Sequence, residues 1–311
     1  MDRKTIGKSL LFCFILIVLL WSVSQIFRWN LRRYGNDNTA FYSIEKDSID
    51  VVFVGSSHSY CGFSPQVLCE ETGLEGYNFA SSNQSMLANY LWAKEAYSEQ
   101  EYDVLIVEAM SFPMSHGDLE NDMRSLYSMK NSVHFYELAR TYKRNAYKVF
   151  FPVFAFHNEW DTLSKDLFVS TMEEYMLENR GYIPLYSVAS PGTVEYVLDE
   201  SSDERGYLNF AYVDKIREFC DEKGIQLIFA KTIMASNSVN VWDMSYHNTV
   251  QDYAEQYGIS FIDFNTMFYR EKAGLDIEHD IAEDLRHAND SGARKMTKYI
   301  GNFIKTKEMF D

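Results

Sequence analysis

Ser57, His287 and Asp284 are the residues of this 311-residue chain whose types and spacing could together do chemistry. A serine hydroxyl is a weak nucleophile until a neighbouring base takes its proton, and the base in turn needs a group that orients it. Ser57 stands in "VVFVGSSHSYCGFSP" (51–65), where four apolar residues run into Gly55 and then Ser56, Ser57 and His58. Near the far end, "EDLRHANDSGARK" sets Asp284 three residues before His287. One turn of chain can deliver both side chains to the same point. The acid would then hold the imidazole in the tautomer that accepts the serine proton. Two plainer readings stand beside this one: Ser56 and Ser57 capping a following helix, and Asp284 with His287 as a solvated surface pair.

The elements that must position these residues follow from hydrophobic patterning. "DVVFVG" (50–55) is short, β-branched and apolar throughout, the pattern of a strand buried on both faces. "GYNFA" (76–80), "YDVLIVEAM" (102–110), "IQLIFAKT" (225–232) and "ISFIDF" (259–264) predict four more strands. Helical spacing occupies 85–100, with Met86, Tyr90, Ala93 and Tyr97 on one face, and recurs at 211–224, 247–258 and 291–305. Buried strands alternating with helices predict an α/β fold, a three-layer, flavodoxin-like sandwich around a mostly parallel sheet. Ligands bind such sheets beyond the carboxyl ends of the strands, where Gly55 to His58 are expected to form a tight turn before helical spacing resumes after Pro65. Residues 111 to about 206 break the rhythm and read as an inserted, largely helical cap within a domain covering 34–311.

The N-terminal 33 residues are of another kind. "SLLFCFILIVLLWSVSQIF" (9–27) holds nineteen residues without a charge, near the length that crosses a bilayer as a helix. Arg3, Lys4 and Lys8 precede it and Arg28, Arg32 and Arg33 follow, so the positive-inside rule does not orient it. It reads as an uncleaved signal-anchor, with Ser22-Val23-Ser24 a weak cleavage site as the alternative. Either version places the rest of the chain outside the cytoplasm. Six Lys/Arg and one acid in residues 1–33 leave 23 basic against 44 acidic residues in the remainder, a charge near −21. That balance argues against nucleic acid as a partner and leaves the N-terminal helix as the expected membrane contact. The four cysteines show no C-x-x-C pairing, so Cys61 and Cys69 read as ordinary thiols, with a bridge between them as the alternative. No helix carries paired histidines at metal spacing and no Gly-rich phosphate loop appears, so neither a metal nor a cofactor is expected.

A strand followed by "GSS" near the start of the domain, with "DLRH" near its end, resembles the SGNH/GDSL hydrolase superfamily. The likeness extends loosely over residues 48 to 306 outside the insert. It is greatest to the membrane-tethered, extracytoplasmic members that accompany membrane-bound O-acyltransferases in alginate O-acetylation and lipoteichoic acid D-alanylation. "GSSHSYCGFSPQVLCEETGLEGYNFASSNQS" carries most of it. The resemblance implies Ser57 as nucleophile, His287 as base and Asp284 as its orienting acid. Three departures are visible. Ser56 stands where the first motif usually has Asp, and "NFASSNQS" lacks the second motif's oxyanion glycine. "VEAMSFP" replaces the Gly-x-Asn-Asp of the third, and the "GND" of Gly35 to Asp37 lies too early to serve. The backbone N–H of Ser82 or Asn83, or the Asn83 amide, would have to supply the missing donors.

The function expected from this reading is acyl transfer or ester hydrolysis on a cell-envelope or secreted polysaccharide, through an ester on Ser57. A sugar hydroxyl as acceptor makes the protein an O-acyltransferase; water makes it an esterase. Transfer is favoured by the resemblance, and since acetyl-CoA is not available outside the cell, a membrane-bound O-acyltransferase would hand over the acyl group. The alternative from another class is a non-catalytic glycan-binding or scaffold partner of such an enzyme. His58 is either a structural hydrogen-bonder or a substrate contact. In "FHNEWDTL" (156–163), His157 and Trp160 either bury a helix or offer a glycan polar and aromatic contacts.

Overall fold

Alternate residues of the first strand face two different cores, which is why its sequence is apolar without interruption. Val52 and Val54 pack with Leu105, Val107, Phe229, Leu91 and Trp92. Val51 and Phe53 pack on the opposite side with Ile106, Ile228, Ile262 and Met296. The computed structural model describes residues 2–32, 36–163, 171–190, 192–193, 203–235 and 244–308. In chain order it begins with α1 (Arg3–Arg32), β1 (Val51–Gly55), α2 (Ser57–Gly62), α3 (Pro65–Thr72), β2 (Gly76–Ala80), α4 (Met86–Gln100) and β3 (Val104–Glu108). The insert follows, carrying α5 (Leu119–Leu126), α6 (Val133–Thr141), α7 (Ala146–Phe150), α8 (Val153–Phe156) and α9 (Thr171–Glu178). The alternation then returns with α10 (Ala211–Lys223), β4 (Gln226–Lys231), α11 (Met244–Tyr257), β5 (Ser260–Asp263), α12 (Met267–Ala273) and α13 (Asp290–Glu308).

Among the described residues the five strands form one sheet, parallel throughout, in the order β2-β1-β3-β4-β5. Helices α2, α3, α12 and α13 cover one face and α4, α10 and α11 the other. From β1 the chain runs outward to β2 on one side and to β3 on the other. The strand order therefore reverses at β1, and in such sheets a crevice opens beyond the carboxyl ends at that point.

Two local expectations need correction. Helix resumes before Pro65 rather than after it, because α2 starts at Ser57 itself and takes in His58. Helix α4 presents no single apolar stripe. Leu87, Leu91, Trp92 and even Glu95 are buried as well as Met86 and Ala93, because the insert covers the outer side of the helix. Trp92 Nε1 donates to the carbonyl of Ser125 (2.9 Å) and Lys94 pairs with Glu137 (2.7 Å). The insert also closes the sheet's free edge: the Asn78 N–H on β2 donates to the carbonyl of Arg180 (2.9 Å). Gly181 makes that approach, at φ +85°, and a Cβ there would lie 2.0 Å from the Asn78 carbonyl oxygen. Gly181→Ala is expected to cost about 2–3 kcal/mol of stability, read as a lowered denaturation midpoint.

Helix α1 is long and apolar enough to cross a membrane. The cysteines are free thiols, and Cys69 donates to Glu75 Oε1 (3.1 Å) rather than bridging Cys61.

Candidate active site

Gly55 ends β1 where no side chain fits: a Cβ would meet Glu108 Cβ at 2.5 Å and Ser59 Cβ at 2.8 Å. The chain can therefore pass from strand into α2 within one residue. Ser56 holds the N-cap position, yet its hydroxyl makes no cap bond and donates instead to Glu108 Oε2 (3.3 Å). Ser57, the first helical residue, points its Oγ at His287 Nε2, 2.8 Å away. Neither hydroxyl is used as a cap.

The partners arrive on the loop before α13. An antiparallel bridge between Ile281 and Ala288 closes it, and the Ala282 N–H donates to the carbonyl of His287 (2.9 Å). At the tip Leu285 takes φ +62°, and its carbonyl accepts from the N–H of Ala235 (3.0 Å). His287 Nδ1 is 2.6 Å from Asp284 Oδ2, while Asp284 Oδ1 accepts the backbone N–H groups of Arg286 (2.9 Å) and His287 (3.1 Å). Burial alone would raise the Asp284 pKa. The hydrogen bonds from the His287 ring and the two backbone N–H groups outweigh it and hold the carboxyl below its ordinary value. An ionised Asp284 fixes the proton on Nδ1, which leaves the Nε2 lone pair facing Ser57.

His58 lies buried under this pair. Its ring stacks on that of His287, 4.7 Å between centroids, and its Nδ1 is 3.4 Å from Thr232 Oγ1. Burial first, and then the neighbouring His287, push its pKa down to about 3. A neutral imidazole wedged there supports the His287 ring from behind.

Beneath Ser56 lies a set of buried titratable residues that patterning did not single out. Glu108 ends β3 with no exposure, accepting from the Met110 N–H (2.9 Å) as well as from Ser56. Burial pushes its pKa up to about 8, against the pull of those donors and of Lys231. Lys231 ends β4 and Asp263 ends β5; they approach to 3.5 Å, and His247 Nδ1 reaches the same Asp263 oxygen at 2.8 Å. Burial would raise Asp263, but Lys231 and His247 hold it well below the carboxylate range. The signal was present in "VLIVE", "LIFAK" and "SFID": a charge closing each buried strand.

The remaining predicted residues are spread more widely. The Ser82 hydroxyl bonds Tyr60 on α2, the helix that Ser57 begins. Ser57 and Ser82 have no protein acceptor for their backbone N–H groups among the described residues. Asn83 sits at φ +52° with its carbonyl accepting from Asn121 (2.9 Å), and no contact joins its amide to Ser57. His157 and Trp160 are exposed on a 3₁₀ turn tied elsewhere, through Thr162 to Asn30 of α1 (2.9 Å) and through Glu159 to Arg124 of α5. The insert instead reaches the triad loop through 182–190. There the Ile183 N–H donates to the carbonyl of Tyr60 (2.8 Å), that of Asp290 to Leu185 (2.7 Å) and that of Ala189 to Ile281 (2.9 Å). Hollows of about 510 and 600 Å³ lie between α4 and α10 and beside Arg180, and neither borders the triad. Among the described residues no group of three or more His, Cys, Asp or Glu is arranged to hold a metal ion. Comparison with known proteins returns no matching family model and no matching curated relative.

Proposed function

We propose that this chain is a membrane-anchored, extracytoplasmic serine acyltransferase or esterase of the SGNH kind, acting on acyl esters of a cell-envelope or secreted polysaccharide. The observation that carries this reading is the continuous path Asp284–His287–Ser57, two hydrogen bonds of 2.6 and 2.8 Å joining residues 230 apart in sequence. In the first half-reaction Ser57 Oγ attacks the ester carbonyl as His287 Nε2 takes its proton. The tetrahedral oxyanion collapses, the C–O bond to the donor alcohol breaks, and His287 returns the proton to that alcohol. In the second, His287 deprotonates the acceptor hydroxyl, a sugar or water, which attacks the acyl-serine and releases Ser57. The Ser57 and Ser82 N–H groups, without a protein acceptor among the described residues, are the proposed donors to the oxyanion; a missing third donor would lower turnover about 100- to 1000-fold.

Location supports a donor held at the membrane. Asn36 follows the end of α1 by four residues, at most about 15 Å of chain, and its amide donates to the carbonyl of Ala80, the residue paired with Gly55. The C-terminal end of α1 and Ser57 thus lie at the same edge of the sheet, which suits acyl transfer from an integral membrane O-acyltransferase.

A second reading, the non-catalytic glycan-binding scaffold, is favoured by one feature. The third-motif position holds the buried Glu108, whose oxygens are turned to Ser56 and Met110. Intact-mass spectrometry of the full chain in detergent, incubated with p-nitrophenyl acetate beside Ser57→Ala, separates the two. An acetyl adduct on the wild type alone is expected. No adduct with the ester left uncleaved would transfer the assignment to the scaffold.

A further inference from the structure

Along α1, protein contact begins abruptly. Residues 3 to 23 are exposed apart from a half-buried Leu20, whereas Ser24, Phe27, Arg28, Asn30 and Leu31 are buried against the insert. The uncovered stretch of 21 residues measures about 31 Å at 1.5 Å per residue, close to a hydrocarbon core of about 30 Å once Arg3, Lys4 and Lys8 at its start reach back to the far headgroups. The first contact beyond it is the Val153 N–H donating to Ser24 Oγ (3.5 Å), so the start of α8 marks the level at which the helix leaves the core.

The surface at that level is unlike the rest of the domain. Tyr147, Phe150 and Phe154 are 49, 47 and 42% exposed, the Tyr147 and Phe154 rings are 5.6 Å apart, and Trp21 of α1 is 53% exposed one turn below Ser24. In water this aromatic face would be an unfavourable exposure; at a bilayer interface it is the expected composition. Charge agrees. Residues 140–154 hold four Lys/Arg and no acid in a domain of net charge near −21. Lys143 and Arg144 are exposed at the turn before α7, and Lys148 is paired with Glu120 (2.9 Å). This local reversal of sign suits anionic headgroups.

We propose that α7 and α8 form a second membrane contact, with Tyr147, Phe150 and Phe154 seated in the interfacial region of the leaflet through which α1 leaves the bilayer, and Lys143 and Arg144 at its lipid phosphates. The sequence-level expectation that α1 alone meets the membrane is thereby extended: the acidic domain keeps one basic, aromatic face for the lipid. This rests on α1 crossing the bilayer. Held at two points, the domain cannot swing about α1, and the edge of the sheet bearing Ser57 keeps a constant orientation to the membrane.

The test uses the full chain in nanodiscs of phosphatidylcholine and phosphatidylglycerol, with Cys13 and Cys69 replaced by serine and Cys61 and Cys220 left buried. A nitrobenzoxadiazole label is placed at Phe154→Cys, at Tyr147→Cys as an independent second site, at Leu16→Cys within the span, and at Tyr207→Cys, which is 91% exposed. Lipids with a shallow nitroxide are expected to quench labels 154 and 147 and leave 207 emitting. Lipids with a deep nitroxide should quench label 16. Quenching at 16 with none at 154 and 147 overturns the proposal while the span stands, and a blue-shifted but unquenched label 154 would reassign the face to a protein partner. No quenching at 16 removes the span and the second contact with it. Lys143→Gln/Arg144→Gln should reduce quenching at 154; unchanged quenching would overturn the role given to the two cations.

Discussion

Replacing His287 with alanine is expected to lower turnover of an activated ester about 10⁶-fold, to the rate of Ser57→Ala, with the far-ultraviolet circular dichroism unchanged. The reason lies in the coupling of the pair. Among the described residues the base hydrogen-bonded to Ser57 Oγ is His287 Nε2, at 2.8 Å, and a neutral hydroxyl without a base scarcely attacks an ester. Removing either residue therefore removes the same step, and the double variant should be no slower than the single ones. Multiplying effects in the double variant would mean that the two residues do not act as a unit. Asp284→Asn should cost less, about 10³- to 10⁴-fold. Its side chain is 42% exposed against 18% for His287, so water can partly replace the carboxylate that orients the ring. With the asparagine oxygen accepting the two backbone N–H groups, its NH2 faces Nδ1, turns the ring proton to the Nε2 that Ser57 needs as acceptor, and leaves no charge to stabilise the imidazolium formed on attack.

How much of this could be read beforehand differs between elements for physical reasons. The strands were legible because burial on both faces leaves a continuous apolar run; β1, β2, β4 and β5 lie within a residue of the predicted bounds and β3 within two. The proximity of Ser57, Asp284 and His287 was legible because an α/β chain places loop residues after β1 and before the last helix at the same sheet edge, so order along the chain stood in for distance. The outer burial of α4 was not, since it depends on an insert whose packing no local period encodes. Nor was the stacking of His58 on His287, a contact across 229 positions. Glu108, Lys231 and Asp263 were each visible as a charge at a strand's end, but only the register of three parallel strands makes them neighbours. The insert's strap at 182–190 and the docking of α1 belong with α4: both are set by packing between distant segments.

Two buried groups, His58 and Glu108, should give stability a pH profile with opposed limbs, and two substitutions should remove one limb each. His58 takes up a proton near pH 6.5 when unfolded but only near 3 in the fold. Between those values the unfolded chain binds the extra proton, so stability falls as pH falls. Glu108 loses its proton near 4.5 when unfolded but keeps it to about 8 in the fold. Between those values the folded chain binds the extra proton, so stability falls as pH rises. Each full limb is on the order of 3–5 kcal/mol. From about pH 4.5 to 6.5 the two slopes oppose and cancel. Above 6.5 Glu108 acts alone and stability declines toward pH 8; below 4.5 His58 acts, together with the depressed Asp284 and Asp263 carboxyls. Glu108→Gln should therefore abolish the decline above pH 6.5 and expose a slope between 4.5 and 6.5 in which stability rises with pH. His58→Gln should do the reverse, leaving a steady loss from pH 4.5 to 8. Denaturant midpoints of the full chain in detergent, followed from pH 4 to 9, read both limbs, and the other carboxyls cancel in the difference between variants. A Glu108→Gln curve parallel to wild type above pH 6.5 would show that Glu108 is already ionised in the fold. The Ser56–Glu108 contact would then join a serine hydroxyl to a buried carboxylate anion, with Lys231 as the cation that holds its pKa down.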